Sequence, residues 1–342
     1  MTTPKEIAYI VGIGRSGTSL LQSLLNQHPK VFAGPENYFV RFFHPNWKNK
    51  TKFNGQDIKL INQYNLAFNQ LQLPIGFETK SFEDMYANNF YSFCTENYFQ
   101  YNNSATNSKE ISLIIDKNPI NSTYIKEILS FNPSAKFIFM MRDYRANFLS
   151  RKESVHLSSS NISYNALRWR YFTKKILKEQ EKRPNQFHII KYEDLVQQPQ
   201  KTFNQILNFL NLNPFELSKQ TTQEQKAYEK AVSEIKQERI EKKYSDLAQG
   251  IFTHRMEQWK TKLTQEEIEI ADYICQPIGK KFAYPSSSSI TNIKKLKIKL
   301  RVGYYTIIYT LERFKNQIFH LLPLSFKVDY FERFVNKIKV KR

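Results

Sequence analysis

The sequence predicts an α/β protein of the P-loop type, a parallel sheet flanked by helices, with a mainly helical insertion and a basic helical tail. Three observations carry this. A glycine-rich turn joins an apolar run to a helical stretch near the N-terminus; two later apolar runs each lead into a helix; and basic amphipathic spacing takes over after residue 290.

The first unit is residues 7–12, Ile-Ala-Tyr-Ile-Val-Gly, followed across the turn by residues 18–25, whose leucines recur at helical spacing. The second is the run 136–141, which ends at Arg142-Asp143 and leads into the helical stretch 145–152. The third is 187–192, followed by Glu193-Asp194 and a helix over 199–210 that opens on Pro199. Strands separated by helical crossovers pair in parallel, and such a sheet is buried on both faces.

Residues 41–110 are rich in Asn, Gln, Phe and Tyr and poor in strand signals, and read as helices and loops inserted between the first two core strands. An insertion there overhangs the carboxyl ends of the strands, where open α/β sheets bind ligands. It is the candidate substrate pocket. Residues 227–243 are strongly charged and read as a solvated helix or lid. Pro285 and the serines 286–289 mark a linker, so a catalytic domain is expected over 1–285 and a linker with a basic tail over 286–342.

Composition narrows the class. A chain of 342 residues, 41% hydrophobic, can bury a large core, and disordered or fibrous readings are excluded. Cys94 and Cys275 form no CxxC pattern, which argues against a disulfide framework and a structural zinc site. The polar residues 1–6 leave no room for a signal peptide, and no apolar stretch nears the roughly 20 residues of a membrane span, so the catalytic part is expected in the cytoplasm.

The net charge of +20 is unevenly placed: residues 291–342 hold 13 of the 51 Lys and Arg and 3 of the 31 acids, half of the excess. The remainder is spread over 290 residues, which suits an anionic cofactor, and nucleic acid is not expected as a partner. In the tail, runs such as Lys294-Lys295-Leu296-Lys297-Ile298-Lys299-Leu300-Arg301 alternate cations with apolar residues. They read either as a helical pair packed on the core or as a surface lying on a polyanion or on the anionic inner face of a membrane.

The turn Gly12-Ile13-Gly14-Arg15-Ser16-Gly17-Thr18-Ser19 has G-x-x-x-x-G-x-[ST] spacing between strand and helix. Backbone N–H groups and a helix N-terminus converge on an anion in such a turn, and glycine permits close approach. Thr18 stands where a nucleotide triphosphatase carries the lysine that contacts β- and γ-phosphates, which counts against a kinase or ATPase. Arg15 supplies a cation inside the loop.

The string Gly14-Arg15-Ser16-Gly17-Thr18-Ser19-Leu20-Leu21, then Asn26-Gln27-His28-Pro29, then Glu36, resembles the opening of P-loop sulfotransferases related to bacterial carbohydrate and protein-tyrosine enzymes. The resemblance covers residues 7–285. It implies a 3′-phosphoadenosine-5′-phosphosulfate donor whose 5′-phosphosulfate is gripped by Arg15, Ser16, Gly17, Thr18 and Ser19, with Glu36 as base. Asp116-Lys117-Asn118-Pro119 resembles the segment whose lysine stabilises the transferring group, which puts Lys117 there. Arg142 and Ser150, eight residues apart, match the pair that binds the 3′-phosphate, and Tyr192 in Lys191-Tyr192-Glu193-Asp194-Leu195 matches a tyrosine near the nucleotide. Before Trp259 the pattern departs from the family, leaving open whether Arg255 or Lys260 meets the donor.

Sulfuryl transfer requires in-line placement and stabilisation of charge, which the catalytic set Glu36, Lys117 and Arg15 can supply without a metal. His28 is the rival base; directly before proline at a helix end, it reads as a helix-terminal residue instead. Tyr192 is open between cofactor contact and core aromatic. The expected acceptor is a hydroxyl of a saccharide or glycolipid.

Overall fold

A computed structural model describes residues 6–72, 81–105, 111–154, 161–218, 253–286 and 292–340. The charged stretch 227–243 lies outside these, as does most of the linker after Pro285.

Five strands form one parallel sheet: β1 (Glu6–Gly12), β2 (Val31–Ala33), β3 (Leu113–Lys117), β4 (Phe137–Met141) and β5 (Phe187–Lys191), in the order β2-β3-β1-β4-β5. Alternate residues of β1 enter opposite cores: Ile7, Tyr9 and Val11 on one face, Ala8 and Ile10 on the other. The second face is closed by α1 (Thr18–Leu25) and α10 (Pro199–Leu210), through Leu21, Leu25, Phe203 and Ile206. On the first face, Tyr9, Phe137 and Phe187 stack across β1, β4 and β5 with centroids 5.5 and 4.7 Å apart. Helices α8 (Ile162–Lys182) and α12 (Gln265–Gly279) complete that core with Trp169, Ile176, Ile270 and Ile274.

Between β2 and β3 lie α2 (Phe39–Phe42), α3 (His44–Trp47), α4 (Gly55–Gln72) and α5 (Phe90–Ala105). The expected insertion is thus mainly helical among its described residues, with loops at 48–54 and 81–89. It is packed with rings: Phe43 lies 5.0 Å from Tyr64 and 5.3 Å from Phe93. Two elements were not expected, β2 and β3. The first has three residues, and the second ends on Asp116-Lys117, so neither presents the apolar run that marks a strand.

Among the described residues the remaining α-helices are α6 (Ile125–Phe131), α7 (Tyr144–Lys152), α9 (Tyr192–Gln197), α11 (Trp259–Lys262), α13 (Asn292–Leu321) and α14 (Leu324–Val340). The tail joins the main core: Ile298, Val328, Phe331 and Val335 are buried in it, and Phe331 stacks on Tyr64 at 5.2 Å. The strand order switches sides at β1: β3 and β2 lie on one side of it, β4 and β5 on the other, all parallel. Such a switch point opens a crevice at the carboxyl ends of the strands. Both cysteines are buried and free.

Candidate functional site

The loop after β1 occupies that crevice. Gly12 has φ 148°, and a Cβ there would sit 2.6 Å from the Met140 carbonyl oxygen, so only glycine lets β1 leave the sheet this close to β4. Ser122 ties the exit down: Gly12 N–H donates to its Oγ (2.8 Å), which donates back to the Gly12 carbonyl (2.7 Å). Arg15 (φ 74°) and Gly17 (φ 89°) are left-handed, which turns the loop into α1. Asn147 of α7 donates to the Gly14 carbonyl (3.0 Å) and to Ser16 Oγ (3.1 Å).

Arg142 follows β4 and is 6% exposed. Its Nη1 donates to the Arg15 carbonyl and its Nη2 to the Arg255 carbonyl, both at 3.0 Å, while its Nε is buried without a partner. The guanidinium stacks 4.3 Å from the centre of the Tyr192 ring. Burial pulls its pKa below the usual arginine value. That ring also packs on the loop, since a Cβ on Gly17 would lie 2.5 Å from Tyr192 Cδ2. Asp143 does not pair with Arg142: its carboxylate takes Arg145 Nη2 at 2.7 Å and Nε at 3.0 Å. Glu193 accepts from Asp143 N–H (3.1 Å) and from Tyr284 Oη (2.9 Å), locking β5's exit to β4's.

Ser150, on α7, accepts from Arg15 Nε at 3.0 Å. It therefore meets the loop arginine, whereas Arg142 reaches the loop's backbone. Arg255 contributes its carbonyl to Arg142, and Lys260 pairs with Glu257 on the surface.

Across the crevice, β2 and β3 run side by side, with Ala33 opposite Ile115. Three residues past Ala33, Glu36 meets Lys117: Nζ donates to Oε1 at 2.7 Å, with side chains 6% exposed for the lysine and 39% for the glutamate. Gln22 of α1 holds the lead-in by donating to the carbonyls of Ala33 (3.1 Å) and Gly34 (2.7 Å). Asn37 donates to Tyr98 Oη on α5, and Tyr98 hydrogen-bonds Asp116, so the insertion grips the residue beside Glu36. Asp116 is wholly buried, which raises its pKa to about 7 against the pull of Tyr98, Asn121 and Lys117. His28 lies at the other end of α1, its Nδ1 accepting from Lys30 N–H (3.2 Å) and its Nε2 3.3 Å from the Asn213 carbonyl.

Asn147, Ser122, Tyr98, Asn37 and Glu193 were not singled out from the sequence. Only Glu193 carried a signal, its place in the Lys-Tyr-Glu-Asp string; the others act through tertiary contacts.

An anionic nucleotide fits these residues. At Gly14 nothing lies within 4 Å of where a Cβ would stand, so the loop is open there in front of α1, and a buried Arg142 Nε stands unbonded beside it. Among the described residues no group of three or more His, Cys, Asp or Glu is placed to hold a metal.

Comparison with known proteins adds the family. The model described as "Sulfotransferase family" matches residues 8–216, more than half of the chain. A putative protein-tyrosine sulfotransferase of Caenorhabditis briggsae is 25% identical over 61% of this chain, and one of Caenorhabditis elegans is 26% identical over 57%. The chain spans 66% of the length of each of these relatives. The sulfotransferase domain of the Synechococcus PCC 7002 olefin synthase superposes with a TM-score of 0.49 at 18% identity, covering 83% of this chain and 97% of that one.

Proposed function

Since the chain belongs to the sulfotransferase family, we propose that it transfers a sulfuryl group from 3′-phosphoadenosine-5′-phosphosulfate to a hydroxyl of a saccharide or glycolipid. The observation that carries this is the Glu36–Lys117 pair facing a lysine-less P-loop: a partly exposed carboxylate beside a buried cation, 2.7 Å apart.

When bound, the donor supplies the sulfuryl group and a bisphosphate leaving group. The loop amides from Gly14 to Ser19, with Arg15, Ser16, Thr18 and Ser19, hold its 5′ end at the N-terminus of α1. Arg142 and Ser150 hold the 3′-phosphate, and Tyr192 walls the nucleotide pocket against Gly17. Lys117 Nζ neutralises charge on the transferring group, and Glu36 accepts the acceptor's proton. Two cations in fixed positions do the work for which a kinase uses Mg²⁺.

The insertion over 41–110 forms the acceptor side, since Tyr98 and Asn37 meet beside Glu36. The basic C-terminal hairpin supports a glycan held near a membrane, with the protein peripheral to it. A second acceptor class, a tyrosyl hydroxyl, is favoured by the names of the Caenorhabditis relatives.

Calorimetric titration tests the donor assignment. Tight binding of 3′,5′-adenosine bisphosphate in the presence of EDTA is expected; binding of Mg·ATP alone would refute it.

A further inference from the structure

Helix α13 is apolar on two opposite sides. Its inner side is fixed to the body: Ile298 and Tyr309 are buried, Tyr309 meets Tyr164 at 5.5 Å, Arg313 stacks 3.9 Å from the Tyr171 ring, and Arg301 pairs with Glu266 at 2.7 Å. The outer side carries Leu296, Leu300, Tyr304, Ile307, Leu311, Phe314, Ile318 and Leu321, which are 47 to 77% exposed. From Leu300 onward they recur in steps of four and three, so they form one stripe about 30 Å long. An isolated apolar residue on a surface needs no partner, but a continuous stripe of this length does.

The charges beside the stripe select the partner. The helix carries seven Lys and Arg against one acid, Glu312, and that acid faces inward, where Tyr164 Oη donates to it. Lys297 and Lys315 border the stripe on one side and Lys299 on the other, all exposed. The spacing alone would suit a second copy of the helix, but a second copy would set lysine against lysine. We propose that this outer face docks on an anionic phospholipid bilayer, with α13 lying in the plane of the interface and its lysines among the headgroups. Among the described residues no helix is long and apolar enough to cross a membrane, so the contact is peripheral.

Docking here would also orient the proposed acceptor side. The C-terminal end of α13 touches the segment that follows Glu36: Arg41 donates to Asn316 Oδ1 at 3.1 Å, and the Arg41 carbonyl lies 3.2 Å from His320 Nδ1. This rests on the peripheral placement proposed above, and it names the surface and the lipid class.

The test is co-sedimentation of the full chain with extruded vesicles of phosphatidylcholine, with and without phosphatidylglycerol. Binding to the anionic vesicles only is expected. Replacing Ile307, Leu311 and Phe314 together by serine should lower it at least about tenfold, and Lys297→Glu with Lys299→Glu should do the same at low salt. Both variants should titrate 3′,5′-adenosine bisphosphate like the parent chain. No sedimentation, or equal sedimentation of the serine variant, overturns the proposal. So does light scattering that finds a dimer which the serine variant abolishes. Failure of the parent chain to bind the bisphosphate would instead overturn the donor assignment and leave the vesicle result standing.

Discussion

Lys117 Nζ donates to Glu36 Oε1 across 2.7 Å, the lysine from the end of β3 and the glutamate from the turn after β2. Because only the glutamate is substantially exposed, it is the member of the pair that can meet an acceptor. Glu36→Gln should keep bisphosphate affinity and lower turnover by about 10²- to 10⁴-fold, the usual worth of a positioned proton acceptor. Steady-state kinetics with a titration of the variant check this, and near-normal turnover would move the role to another group.

Arg142 is buried, joins the carbonyls of Arg15 and Arg255, and has its Nε without a hydrogen-bond partner. Arg142→Ala should weaken bisphosphate binding about 10- to 100-fold, in line with the loss of charge-assisted hydrogen bonds. Arg142→Lys should recover little, since a single ammonium cannot span two carbonyls and a phosphate. Calorimetry gives both values.

Gly17 and Tyr192 are coupled by contact, since a Cβ on Gly17 would lie 2.5 Å from Tyr192 Cδ2. Gly17→Ala should destabilise the fold by about 1–3 kcal/mol through the left-handed backbone and the clash. Adding Tyr192→Leu should relieve the clash and leave the backbone cost, so the two changes should be non-additive in urea unfolding.

Asp116 gives a pH dependence with a definite sign. Its folded pKa of about 7 is above the unfolded value of 3.8, so between those values the folded chain holds a proton that the unfolded chain has lost. Stability contributed at this site is full at low pH and is lost as pH rises toward 7. Asp116→Asn should therefore gain melting temperature relative to the parent chain between pH 5 and pH 8, by scanning calorimetry. A constant difference across that range would contradict the burial argument.

Much of the sheet and its phosphate loop could be read from residue order alone. β1, β4 and β5 are apolar runs that enter helices, and glycine spacing marks the loop because positive φ and close approach demand it at Gly12 and Gly17. β2 and β3 were hidden, one by its three-residue length and one because it ends in two charged residues buried only by tertiary packing. Partner choice among the arginines was hidden as well. Arg142 is adjacent to Asp143 in sequence, yet Arg145 takes that carboxylate because the aspartate caps α7 and faces back along it. For the tail, periodicity reveals a helix with apolar sides, whereas the choice of inner side depends on Tyr164, Tyr171 and Glu266, remote in the chain.

The most direct measurement is mass spectrometry of acceptors incubated with the full chain and 3′-phosphoadenosine-5′-phosphosulfate in EDTA, over a panel of saccharides, glycolipids and tyrosine peptides. One hydroxyl class should gain a single sulfuryl group with matching release of 3′,5′-adenosine bisphosphate, and Glu36→Gln should not support the gain. Transfer of a phosphoryl group from Mg·ATP, with none from the phosphosulfate, would contradict it.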